Sequence, residues 1–181
     1  MHTQRLHVRQ AEAADLPAIM DVYHAAQEMM IRTGNPTQWG RKNPPEELVR
    51  EDIRRGVCHV VTDGGGRICG VFACILGEDK TYCSIEDGSW PNDEPYATIH
   101  RIAGDGTEHG VFQTALEFCK GRSANIRIDT HRDNKVMQSL IERNGFLRCG
   151  IIHIADGTKR IAYQLVQAAG SGSGTPAEKR R

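Results

Sequence analysis

Apolar and polar positions change period several times along the chain, and each change marks an element. Leu6 to Ala11 alternates as a short strand. After it Asp15 offers an N-cap, Pro17 falls in the first helical turn, and Leu16, Ile19, Tyr23, Ala26 and Met30 recur at helical spacing until Gly34. The polar stretch NPTQWGRKNPP (35–45) holds Trp39, and PEELVREDIRRG gives a second, more charged helix closed by Gly56. Two β-rich runs then flank DGGG, whose glycines permit the positive φ of a hairpin turn. A long acidic and aromatic segment (77–95) leads into the strand YATIHRIA, a Gly-rich loop, the helix VFQTALEFCKG and the strand NIRIDT. The helix DNKVMQSLIERNG, the strand FLRCGIIHI, a DGT turn and the strand KRIAYQLV complete the order β-α-α-β-β-β-α-β-α-β-β. That order predicts a mixed α/β (α+β) domain with a mostly antiparallel sheet over residues 1–167. The tail 168–181 has the composition of a flexible end.

Composition narrows the partners. The 181 residues carry 23 Lys plus Arg and 23 Asp plus Glu, so no global field favours nucleic acid, and the basic cluster Lys179 to Arg181 is too short to supply one. The chain has no apolar run of membrane-spanning length and its first residues lack the core of a signal peptide, which predicts a cytoplasmic protein without a membrane partner. Six cysteines form no CxxC pair and the eight histidines no zinc-site spacing, so reduced, partly buried thiols and no metal are expected.

The stretch IHRIAGDGTEHGVFQTALEFC (99–119) joins a strand, a Gly loop and a helix start, and together these make an anion cradle of backbone N–H groups. A P-loop is excluded, because GDGTEHG lacks the Lys-Ser/Thr ending. With RIDTHRDNKVMQSLIERNGF some 30 residues on, this stretch resembles the GCN5-related N-acetyltransferase (GNAT) superfamily, over residues 6–166. The family's Q/R-x-x-G-x-G/A loop aligns with Thr107 to Phe112, where only Gly110 is kept. Ile141 stands where many members carry a tyrosine that protonates the leaving thiolate.

The resemblance implies an N-acetyltransferase that moves an acetyl group directly from acetyl-CoA to a small-molecule, peptide or protein amine. It implies that backbone groups of Ile102, Ala103 and Gly104 meet the pantetheine and thioester. Donors from Gly104 through His109, Gly110, Val111 and Phe112 would hold the pyrophosphate, with Phe112 turned to the core, and Asn134 would contact the cofactor arm. Strict alternation along 96–103 would put Tyr96, Thr98, His100 and Ile102 on one face, and Ala97, Ile99, Arg101 and Ala103 on the other. His100 is the candidate general base, Glu86 in the acidic loop a candidate relay or amine attractor with Asp87 and Glu94, and His131 an alternative acid or base. Trp39 and Trp90 lie in the two loops that wall the acceptor pocket in the family, and Arg101 either pairs with a carboxylate in the sheet or orients the loop. Departures at Thr107, Phe112 and Ile141 motivate the alternative of a non-catalytic acyl-CoA or metabolite sensor on the same fold. Family members often pair through sheet edges or helices, which leaves a homodimer open.

Overall fold

The computed structural model describes residues 5–167; the tail 168–181 lies outside them. Seven strands form one sheet: β1 (His7–Gln10), β2 (Cys58–Thr62), β3 (Ile68–Leu76), β4 (Ala97–Gly104), β5 (Asn125–Thr130), β6 (Leu147–His153) and β7 (Lys159–Val166). Their spatial order is β1-β2-β3-β4-β5-β7-β6, antiparallel throughout except at the β4/β5 junction. Four helices cover it: α1 (Leu16–Arg32), α2 (Glu46–Arg54), α3 (Val111–Lys120) and α4 (Lys135–Arg143). The element order read from the sequence stands, with β1 shorter than Leu6 to Ala11.

Each helix is placed by its apolar face. On α1, Leu16, Ile19, Val22, Tyr23 and Ala26 are buried and pack with Val60, Val71 and Ala103 on one side of the sheet, together with Val49 of α2. Full burial of each Leu, Ile or Val contributes about 1.5–3 kcal/mol. The expected N-cap at Asp15 takes a different form. Its side chain makes no cap bond to α1; it closes a capping box with Glu12 around the preceding 3-10 turn and accepts two hydrogen bonds from Arg9.

On the other side of the sheet, α3 buries Val111, Phe112, Ala115, Leu116 and Cys119 in a core shared with Ile99, Ile126, Ile128 and Ile141. The helix sits close because β3 offers no side chain at Gly70, where a Cβ would stand 2.5 Å from Val111 Cγ1. Gly66 at φ +84 closes the predicted hairpin turn between β2 and β3. Gly145 at φ +84 ends α4 as a left-handed cap, and Phe146 follows it into the core. All six cysteines are free thiols, five of them buried and Cys83 exposed.

Candidate active site

The sheet opens at its one parallel junction. Only Ala97 and Thr98 of β4 are in register with Ile126 and Arg127 of β5, so beyond Thr98 the two strands diverge and β4 has no strand partner on that side. At the same level β4 bulges: His100 pairs with Ala73 and Ala103 with Val71, so Arg101 and Ile102 together face the single residue Phe72. Arg101 takes φ +53, an uncommon value for a residue with a side chain. The bulge is clamped, since the Tyr23 hydroxyl of α1 donates to the Arg101 carbonyl at 2.9 Å. The Arg101 guanidinium donates to Asp52 Oδ2 of α2 from Nε at 2.8 Å and reaches it with Nη2 at 2.7 Å. Its partner carboxylate is therefore on a helix, not in the sheet, and burial pushes the Asp52 carboxyl up.

The bulge corrects the alternation expected for this strand. Ile102 packs in the α3 core with Ala97 and Ile99, whereas Ala103 packs against α1. The gap and the bulge thus leave β4 without a strand partner on its β5 side from Ile99 to Gly104, so that the N–H and C=O groups there not taken by β3, nor, at the Arg101 carbonyl, by Tyr23, can pair with an extended ligand.

The loop after β4 ends at Gly110, the α3 N-cap, at φ +92. A glycine there is comfortable in the left-handed region and offers no side chain, so the first N–H groups of α3 carry no side-chain cap. Thr107, the departure from the basic or amide position, orders this loop. Its hydroxyl and N–H both donate to Asp105 Oδ1 (2.6 and 2.9 Å), and Arg67 reaches Asp105 at 2.5 Å and the Thr107 hydroxyl at 2.6 Å. His109 is exposed on the loop, and Phe112 is buried in the core with its ring 6.5 Å from that of Phe146. Ile141 is fully buried in that core, and no tyrosine lines the cleft described next.

A cleft of about 550 Å³ runs from the β4/β5 gap outward, between Ile99, Ile102, Ile128, Thr130 and Met137 within and Trp39, Asp79, His100, Asp129 and Arg160 toward its mouth. His100 Nε2 lies 2.7 Å from Asp79 Oδ2. That bond first, and then the Thr81 N–H, outweigh the opposing effect of burial and leave the Asp79 carboxyl lowered to about 2. An ionised carboxylate only accepts, so Nε2 carries a proton, and in the neutral form of the ring the lone pair is then on Nδ1. Tyr82, fully buried, stands 5.9 Å ring to ring from His100 and donates its hydroxyl to Asp129 Oδ1 at 2.8 Å.

Asn134 lines the cleft from the N-cap of α4. Its Oδ1 accepts from the Met137 N–H at 3.1 Å, and its Nδ2 donates at 3.0 Å to Gln38 Oε1, which also accepts from Asn35 at 2.8 Å. The 35–45 loop is thereby tied across the opening.

The other sequence candidates lie elsewhere. Glu86 bridges Ile151 at the β6 edge, with its carboxylate 3.6 Å from His153. His131 lines a neighbouring depression with Arg132, Arg148 and Lys159, and burial holds its pKa down. Trp39 walls the cleft, but Trp90 does not: it stacks on the Arg127 guanidinium at 3.9 Å. Sequence reasoning missed Asp79, Tyr82, Gln38 and Asp129. The signal for Asp79 was local: Asp-x-Thr just past the end of β3, an Asx turn in which Asp79 accepts from the Thr81 N–H at 2.8 Å.

No protein-family model matches the chain, and no curated protein matches it. Solved structures do. An acetyltransferase of the GNAT family from Streptococcus agalactiae is 28% identical, with a TM-score of 0.82 over 93% of this chain and 99% of that one. A GNAT-family acetyltransferase from Listeria monocytogenes is 19% identical, with a TM-score of 0.66 over 89% of this chain and 94% of the other. The ribosomal-protein-S18-alanine N-acetyltransferase of Escherichia coli, 17% identical, shares the fold at a TM-score of 0.56 over 94% of this chain and 100% of its own.

Proposed function

We propose, from the membership of this chain in the GCN5-related N-acetyltransferase superfamily, that it transfers an acetyl group from acetyl-CoA to the nitrogen of an amine. The observation that carries the reading is the β4/β5 opening with the bulge at its head and the His100–Asp79 pair at its mouth. The residues present suit the cosubstrate. The divergent β4 edge offers backbone partners for an extended arm, and the uncapped start of α3 behind Gly110 offers N–H groups and a positive helix end to a pyrophosphate. Asn134 and Met137 line the arm's path.

In this reading Nδ1 of His100 takes a proton from the acceptor's ammonium, directly or through water, while Asp79 holds the ring by Nε2–H and stabilises the imidazolium that forms. The freed nitrogen then bonds to the thioester carbonyl carbon, the C–S bond breaks, and the nitrogen, cationic after the attack, releases its second proton to water. Backbone N–H groups at the bulge, which Tyr23 and Arg101 clamp, would bind the carbonyl oxygen as it gains charge. With Ile141 in the core, the departing sulfur takes its proton from water or from the His100 imidazolium. General acid–base assistance of this kind contributes about 10²–10⁴-fold.

The test is thiol release from acetyl-CoA in the presence of a panel of amines, with calorimetric titration of acetyl-CoA and of a fragment lacking the nucleotide pyrophosphate. Turnover that needs the amine, and binding that needs the pyrophosphate, support the proposal. Pyrophosphate-dependent binding with no thiol release from any amine would leave a CoA-binding protein without the transferase.

A further inference from the structure

The acceptor end of the cleft carries a second polar group that the acetyl-transfer chemistry does not use. Arg160, the second residue of β7, is 7% exposed and lines the cleft opposite the His100 side. A buried guanidinium is normally held by short bonds to a carboxylate or several carbonyls. This one is not. Among the described residues its Nη1 donates only to the carbonyl of Lys159, its own neighbour, at 3.4 Å, and its Nε stands 3.8 Å from Asp129 Oδ2, beyond hydrogen-bond reach. Asp129 instead takes the Tyr82 hydroxyl at 2.8 Å, and Asp156 at the cleft rim takes the Thr158 N–H at 2.8 Å. Most of the five N–H donors of Arg160 therefore have no protein partner among the described residues.

The surroundings add to the same field. On its far side Arg160 also lines a depression walled by His131, Arg132, Arg148 and Lys159, with no carboxylate among its lining residues. The acceptor end of the cleft is thus polarised, with the ionised Asp79 beside His100 on the β4 side and Arg160 on the β7 side, β5 standing between. Paired strands lie about 4.8 Å apart, and β4 and β5 have already parted at this level, so the two poles stand more than two strand spacings apart at the backbone, a distance that the long Arg160 side chain closes in part. That span fits a short carbon chain.

We infer that Arg160 recognises an oxyanion on the acceptor, and that the acceptor is a small amine that also carries a carboxylate, its nitrogen at His100 and its anion on Arg160. The inference rests on the acetyl-transfer reading for the role of His100. A planar guanidinium can grip carboxylate and phosphonate alike, so both belong in the test.

Matched acceptors separate the possibilities: 4-aminobutyrate against butylamine, and 3-aminopropylphosphonate as the alternative anion, with leucine and its decarboxylated amine as an α-amino pair. Thiol release from acetyl-CoA is measured with each, for the unmodified protein and for Arg160→Gln and Arg160→Lys. The expected result is a kcat/KM roughly ten- to a hundredfold higher for the carboxylates than for their plain amines, as one or two charged hydrogen bonds supply. That ratio should collapse in Arg160→Gln and recover in part in Arg160→Lys, with the loss mainly in KM. A phosphonate preferred over the carboxylate would overturn the carboxylate assignment. Equal use of anionic and plain amines by the unmodified protein would overturn the inference while leaving acetyl transfer intact. Should no acceptor release thiol, acetyl transfer fails on its own. Calorimetric binding of the same pairs then decides this inference: carboxylate-dependent binding lost in Arg160→Gln supports it, and its absence sinks it.

Discussion

Asp79 is the residue on which the proposed chemistry turns, because it decides which nitrogen of His100 is free. Replacing it as Asp79→Asn keeps the size but removes the charge that holds Nε2–H, so kcat should fall roughly a hundredfold while acetyl-CoA affinity stays within about twofold. Thiol-release kinetics and calorimetry on the same preparation check this. The same carboxylate marks the acid limb of stability. Its folded pKa, about 2, lies below the unfolded value near 3.8. The stabilisation is thus fully present above about pH 4 and lost as pH falls through 2. It amounts to about 2 kcal/mol at most, and urea unfolding between pH 5 and 2 should show that loss reduced in Asp79→Asn. His59 acts higher on the scale. Burial beside Phe72 and Phe118 lowers its pKa, so the folded state resists its protonation and stability declines as pH falls below about 6.5. Unfolding midpoints at pH 7.5 and 5.5 should differ less in His59→Gln than in the unmodified chain.

At the scale of the element, the β4 bulge does what neither flanking strand could do alone. It turns Ile102 into the core beside Ile99, keeps His100 at the cleft, and holds the intervening peptide groups away from β3. This was not legible in the sequence, because YATIHRIAG reads as an ordinary alternating strand and a bulge at arginine carries no glycine to announce it. The cause lies in distant residues: Tyr23 and Asp52 sit on α1 and α2, 78 and 49 positions from Arg101. Tyr23→Phe removes the bond to the Arg101 carbonyl and should cost about 1 kcal/mol of stability. If the bulge positions the reacting carbonyl, kcat should fall at least tenfold with the KM for acetyl-CoA little changed. Equal, small losses in both would make Tyr23 a packing residue only. By contrast, the α3 start was legible: Gly110 and the inward Phe112 could be read directly from the chain.

Across the whole molecule, the sheet is two half-sheets, β1–β4 and β5–β7-β6, that meet in register at only two residue pairs and otherwise share the core beneath α3 and α4. Element order and the antiparallel majority followed from periodicity, since each strand and helix is coded locally. The assembly of the cleft did not, because it draws on α1, the 35–45 loop, the Asp79 turn, β4, β5, α4 and β7 at once. That is why Glu86 and His131 could be named beside His100 in sequence terms and yet lie apart from it. The same architecture makes the cleft a seam between the half-sheets, joined by two registered residue pairs and crossed by side-chain ties such as Gln38 to Asn134. An acetyl-CoA arm pairing along β4 would stitch the halves together, so binding should raise stability by RT ln(1 + [L]/Kd), about 2.7 kcal/mol at a hundredfold excess over Kd. Thermal unfolding would then shift upward by roughly 5–10 °C. Amide exchange should slow most at Ile102 to Gly104, Val111 to Gln113 and Ile128 to Thr130, and little at the distant β1–β2 edge. Protection spread evenly over the sheet would mean that the ligand stabilises without entering the β4/β5 opening.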